Sequence, residues 1–135
     1  MATKALIQFS PRQKGQSFNQ FPKEITHQIY VHNDGMPSFL GAALGDMLLA
    51  SPGNNGTDCL AAQTVVYFKL GMQYNKIDTS IGNVYLEQPN AIHGSIDFRY
   101  VVWSNLEKET MVSIFNYLDE CIFVGSPKDL TKLTN

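Results

Sequence analysis

In this 135-residue chain, the residues whose types and spacing come nearest to chemistry are His32 and Asp34, within Tyr30-Val31-His32-Asn33-Asp34-Gly35-Met36-Pro37. An imidazole and a carboxylate can serve as base and orienter, or as two ligands of a metal ion. Either use needs a third group. His27, His93, Asp46 and Asp58 are the available donors, and none is placed by spacing alone. The competing reading is a structural turn in which the Asp34 carboxylate bonds nearby backbone N–H groups. The residues therefore assign no catalytic set and no metal set, and they leave ligand contact by Tyr30, His32 and Asp34 open beside the structural turn.

Arg99 is one of two arginines and stands between Phe98 and Tyr100. Its planar fork suits a phosphate or a carboxylate, and a cross-strand ion pair is the plainer alternative. Trp103, Tyr85, Tyr100 and Tyr117 can stack on a base or simply pack on a sheet face. Arg99 and Trp103 join Tyr30, His32 and Asp34 as candidate ligand-binding residues. Gly53-Asn54-Asn55-Gly56 offers backbone N–H groups ahead of a helix but lacks the Lys and Ser/Thr of a phosphate-binding loop, so a plain loop is the simpler reading. No serine lies in a nucleophile elbow, and neither cysteine has a histidine close by in sequence.

The elements that must position these groups follow from periodicity. Residues 4–9 read as a first strand, and the polar stretch from Ser10 to Phe21 as a long loop or disordered hairpin tip. From Glu24 to His32, Ile25, His27, Ile29 and Val31 fall on one face, while Tyr30 and His32 share the other. Asp34-Gly35 ends that strand, the glycine supplying a positive φ. Pro37 opens a helix with Phe39, Leu40, Ala43, Leu44, Met47 and Leu48 as its buried stripe. Gly41 and Gly45 lie on a neighbouring face, where close approach of another backbone or a ligand would offset their helix cost.

Thr57 is the expected N-cap of a second helix running to about Leu70, with Leu60, Ala61, Thr64, Val65 and Phe68 inward and Gly71 as its stop. After a polar linker at 73–82, strands are expected near 83–88, 95–103, 111–118 and 121–124, with Arg99 facing away from Phe98 and Tyr100. Ser126-Pro127-Lys128-Asp129 carries the capping pattern of a short terminal helix. The sum is an α+β single domain over 1–135, an antiparallel sheet with two central helices packed on one face and a short C-terminal helix.

Composition narrows the partners. Ten Lys and Arg against twelve Asp and Glu give a formal charge of −2, with no basic surplus for general nucleic-acid binding. Cys59 and Cys121 form no CxxC or Cys/His cluster, so two buried thiols are expected rather than a disulfide framework or a zinc site. No run approaches the roughly 18–20 apolar residues of a membrane span. A reducing, cytosolic setting is expected, with no cofactor. A homo-oligomer fits small proteins of this kind, and the sequence sets no number.

The order strand, Tyr-x-His-x-Asp-Gly-x-Pro, helix resembles a group of small, mostly uncharacterised bacteriophage proteins built around a YxHWDGYP-like core. The matching positions are Tyr30, His32, Asp34, Gly35 and Pro37, followed by Gly41 and Leu44 on the helix. Phe98-Arg99-Tyr100 and Gly125-Ser126-Pro127 are looser echoes. Asn33 and Met36 replace the two aromatics usual in that core. The resemblance implies a phage origin, and hence a place in the host cytoplasm and a counter-defence role. The expected function is non-catalytic sequestration of a small nucleotide-like immune signal. An anti-CRISPR-like inhibitor that binds a host defence protein is the alternative, and a nucleotide-cleaving enzyme using His32 and Asp34 is the third.

Overall fold

The computed structural model describes residues 3–11, 24–50, 56–69, 84–104 and 109–133. The expected N-terminal loop beyond Pro11, the break ahead of Gly56, the stop at Gly71, the polar linker and most of the loop after Ser104 fall outside them.

Alternation of apolar and polar residues builds the strands β1 (Ala5–Phe9), β2 (His27–Val31), β3 (Val84–Glu87), β4 (Phe98–Ser104), β5 (Thr110–Asn116) and β6 (Cys121–Gly125). They form one six-stranded sheet in the order β3-β2-β1-β4-β5-β6. The class is α+β, as expected, and β4-β5-β6 is the antiparallel meander foreseen at the C-terminal end. The sheet as a whole is mixed, because β1 runs parallel to β4, with Ile7 opposite Tyr100. A parallel pair needs a long connection. Here β2, β3 and both long helices lie between the two strands in sequence.

One sheet face is mainly apolar, with His27, Ser104 and Thr110 at its margins. Ile7, Phe9, Ile29, Val31, Tyr100, Val102, Val112 and Ile114 are buried there in a single cluster with helical residues. Helix α1 (Ala42–Ala50) contributes Ala43, Leu44, Met47 and Leu48, and helix α2 (Thr57–Lys69) contributes Leu60, Ala61 and Phe68. The short helix α3 (Pro127–Leu130) adds Leu130 and has the full capping box between Ser126 and Asp129. Helix α2 begins at Thr57 itself. The residue before it is Gly56, at φ 105°, whose carbonyl accepts from the Leu60 N–H at 3.1 Å.

Three local expectations are corrected. The turn after Pro37 is π-helical over Pro37–Gly41 before α1 begins, and this wider turn departs from the 3.6-residue spacing on which the expected stripe rested. Phe39 is 38% exposed while Leu40 is buried. At the corner, the positive φ belongs to Asp34 (62°) and not to the glycine. Gly35 is needed for closeness instead, since a Cβ there would lie 2.7 Å from the Ala5 Cβ and 2.9 Å from the Thr3 carbonyl oxygen. Cys59 and Cys121 are free thiols, each half-buried rather than buried.

Gly45 fulfils its expected role. A Cβ on it would sit 2.6 Å from the Pro127 carbonyl oxygen, so the glycine lets α3 lie against α1.

Candidate functional site

The opposite sheet face carries the polar chemistry. Strand Ala-Leu-Ile-Gln-Phe places Gln8 among apolar neighbours, strand His-Gln-Ile-Tyr-Val places Gln28 between His27 and Ile29, and the register sets Gln8 directly opposite Gln28 and Gln28 opposite Glu87. Both glutamines are buried, at 6% and 1% exposure. Gln8 Nε2 donates to Gln28 Oε1 at 2.8 Å. Gln28 Nε2 in turn donates to Glu87 Oε1 at 2.7 Å and to the Ala91 carbonyl at 3.0 Å.

The segment from Gln88 to Asp97 explains how these side chains are covered. It leaves the edge strand β3 and must cross β2 and β1 to reach β4. Along the way His93 Nε2 donates to both oxygens of Glu87, at 2.7 and 3.0 Å, and the His93 ring stacks on Tyr30 with centroids 4.1 Å apart and planes 9° apart. At the far end the Asp97 carboxylate accepts from the Lys4 backbone N–H at 2.9 Å.

Between this strap and the sheet lies a cavity of about 400 Å³. Leu6, Gln8 and Gln28 line it from the sheet, Pro89 to His93 and Ile96 from the strap, and Arg99, Asn116, Tyr117 and Asp119 from the other side. Arg99 pairs with Asp119. The β5–β6 turn sets up that pairing: Asn116 Oδ1 accepts from the Leu118 and Glu120 N–H groups at 2.9 and 3.0 Å, and Asp119 takes a φ of 61°. Burial lowers the guanidinium of Arg99 from its ordinary pKa.

The residues expected from sequence are divided among several places. Arg99 lines the cavity. Tyr30 lies in the same cross-strand row, opposite Leu6, which is itself opposite Arg99, and it backs the cavity by stacking on His93. Desolvation raises the Tyr30 phenol above its ordinary pKa, helped by the Glu87 carboxylate and by Tyr85. The phenol therefore keeps its proton, and its hydroxyl is hydrogen-bonded to His32 Nδ1, 2.8 Å away. Among the described residues, His32 joins the group only through Tyr30.

Asp34 is exposed, and no hydrogen bond joins it to His32 among the described residues. The Asp34-Gly35 corner is a structural clamp: the Gly35 N–H donates to the Thr3 carbonyl at 3.0 Å, and the buried Tyr100 hydroxyl donates to the Gly35 carbonyl at 2.6 Å. Trp103 is buried farther along β4, where its indole N–H donates to Ser113 Oγ at 3.0 Å. It lines a second cavity of about 390 Å³ beside Ser10, Thr57 and Asp58.

Sequence reasoning passed over Gln8, Gln28 and Glu87, and weighed His93 only as a distant metal ligand. The signal available was an amide in the otherwise apolar strand β1, facing a second amide in β2. Among the described residues, no three His, Cys, Asp or Glu side chains come together as a metal site. No helix among them is long and apolar enough to cross a membrane.

Compared with family models, curated proteins and solved structures, the chain matches none. Its fold and its cavity therefore stand on the physical chemistry of its own residues.

Proposed function

We propose that this is a non-catalytic binding protein that holds a small nucleotide-like ligand in the cavity between the sheet and the Gln88–Asp97 strap. In keeping with the phage-like corner at Tyr30 to Pro37, its role in this reading is counter-defence by sequestration of an immune signal. The observation that carries the reading is Gln8. Its side chain lines the cavity at 6% exposure, and its buried Oε1 has no hydrogen-bond partner among the described residues. An orphaned buried acceptor costs about 1–3 kcal/mol, and a bound donor would offset that once a turn of the Gln8 side chain brought Oε1 to the cavity surface.

Arg99 at the opposite end is paired with Asp119 and would take an acidic group of the ligand by exchanging that carboxylate for it. Calorimetric titration against cyclic nucleotides and cyclic ADP-ribose isomers tests the reading. Heat from at least one of them, lost in Gln8→Leu, is expected, and no heat from any would overturn it.

A second reading, inhibition of a host defence protein by direct binding, is favoured by the apolar rim. Ile92 is 93% exposed on the strap, Tyr117 is exposed on the opposite lining, and its neighbour Leu118 is exposed as well. An inhibitor of that kind would lose capture of a purified CRISPR interference complex in Ile92→Ser with Leu118→Ser, and would keep it in Gln8→Leu.

A further inference from the structure

We infer that Asp119 holds the place of the ligand's acidic group. An incoming anion displaces its carboxylate from Arg99, one negative charge for one, so a nucleotide with a phosphodiester is preferred to a phosphomonoester and to the uncharged nucleoside. The inference rests on the nucleotide-like reading of the cavity and narrows it.

The two partners of this ion pair are held very differently. Arg99 belongs to the interior of the sheet, with Leu6 of β1 on one side and Phe115 of β5 on the other, and its side chain is 27% exposed. Asp119 sits on the β5–β6 turn with its side chain 61% exposed. The turn does not depend on that carboxylate. It is closed by the Asp119 N–H donating to the Asn116 carbonyl at 2.9 Å and the Asn116 N–H donating to the Glu120 carbonyl at 3.0 Å, together with the two bonds that Asn116 Oδ1 accepts. The carboxylate can therefore leave Arg99 while the turn keeps its shape. An ion pair with so exposed a partner is screened by water, and exchanging it costs little.

Arg99 and Asp119 both line the cavity, and Arg99 is the only Lys or Arg among the lining residues. A phosphodiester resembles a carboxylate in what this cation reads, one negative charge spread over two free oxygens that suit the guanidinium fork. Burial disfavours the bare cation and lowers its pKa, so a partner of one negative charge is favoured at this wall, whether Asp119 or the ligand supplies it. A phosphomonoester carries about −1.5 to −2 charge at neutral pH. Its second charge meets no further Lys or Arg along the lining, and Glu87, bonded to Gln28 and His93, adds a carboxylate to the surroundings.

The test is calorimetry of the full chain with cyclic AMP, cyclic GMP, AMP, GMP, adenosine and guanosine in mildly alkaline buffer, where the phosphomonoesters are dianions. At least one cyclic nucleotide is expected to bind about threefold or more tightly than its nucleoside and than its monophosphate. Asp119→Asn keeps the left-handed turn at φ 61°, which asparagine also adopts, and removes the charge. It should tighten the cyclic nucleotide by about two- to fivefold, the size of one exposed ion pair. It should tighten the monophosphate more, so the preference between the two narrows, whereas a merely structural Asp119 would move all the ligands alike. In Arg99→Gln the cyclic nucleotide should fall to the nucleoside level.

Equal binding of cyclic nucleotide and nucleoside, a monophosphate that binds as tightly, or an Asp119→Asn chain that binds no more tightly would each overturn the exchange while leaving a nucleotide-like cavity in place. Heat from the cyclic ADP-ribose isomers alone would do the same. No heat from any of these compounds ends both readings.

Discussion

The two faces of the sheet are cut from the same strands and solve opposite problems. On the helix-covered face, alternate residues such as Ile7, Phe9, Ile29 and Tyr100 interlock with α1, α2 and α3 in one apolar cluster. On the face under the strap, their immediate neighbours Gln8, Gln28, Tyr30 and Arg99 meet a polar segment, and near the cavity hydrogen bonds take over the role of packing. Farther along β4 and β5 the same face turns apolar again around Val101, Trp103 and Phe115. The polar character is thus local to the cavity. Apolar packing is concentrated on one side of the sheet, and buried polar contacts are concentrated on half of the other.

Substitutions on the two sides should separate these roles. The largest effect is expected for Phe9→Ala, which empties a fully buried site and should cost about 3–5 kcal/mol in urea unfolding. Gly45→Ala comes next, at about 1–3 kcal/mol, because its Cβ would press on the Pro127 carbonyl and move α3 off α1. Ser126→Ala removes the N-cap of α3 and should cost roughly 1 kcal/mol.

That cap also sets an acid dependence. Hydrogen bonds from the Ser126 backbone N–H and hydroxyl hold the Asp129 carboxyl below its ordinary pKa, aided by Lys132 and Lys128. Its contribution is complete above the ordinary carboxylate range and is lost as pH falls through the lowered folded value. Thermal melts from neutral to acid pH should show that loss in the parent chain and a weaker one in Ser126→Ala.

The smallest effect on stability is expected on the strap side. Gln8→Leu exchanges one orphaned acceptor for another, Gln28 Oε1, and should stay within about 1 kcal/mol of the parent. Ligand heat should nevertheless vanish. If Gln8→Leu unfolds the protein as readily as Phe9→Ala, the division of labour between the faces fails.

Much of this architecture can be read from period and punctuation. The alternation in 24–32 places Tyr30 and His32 on one side, Arg99 opposes Phe98 and Tyr100, and the Ser126 to Asp129 box caps a short helix. These are local properties, decided within a few residues. Partnership across the sheet is not local. Gln8 meets Gln28 across 20 residues, and Gln28 meets Glu87 across 59. A lone glutamine in a strand ordinarily reads as a solvent-facing position, so the buried relay emerges only when register and strap are combined. The parallel β1–β4 pair was hidden for the same reason, since alternation gives a strand its faces but not its neighbour.

The central position of β1 also bears on how the chain assembles. The hairpins β4-β5 and β5-β6 join neighbours in sequence and can close early, as can β1-β2. The junction that unites them brings Lys4 to Asp97 across 93 residues. Loop closure over such a span is slow relative to local pairing. During synthesis β1 therefore has one side without its final partner until β4 has been made, and the cavity, walled by both strands, is completed only at that late zippering step.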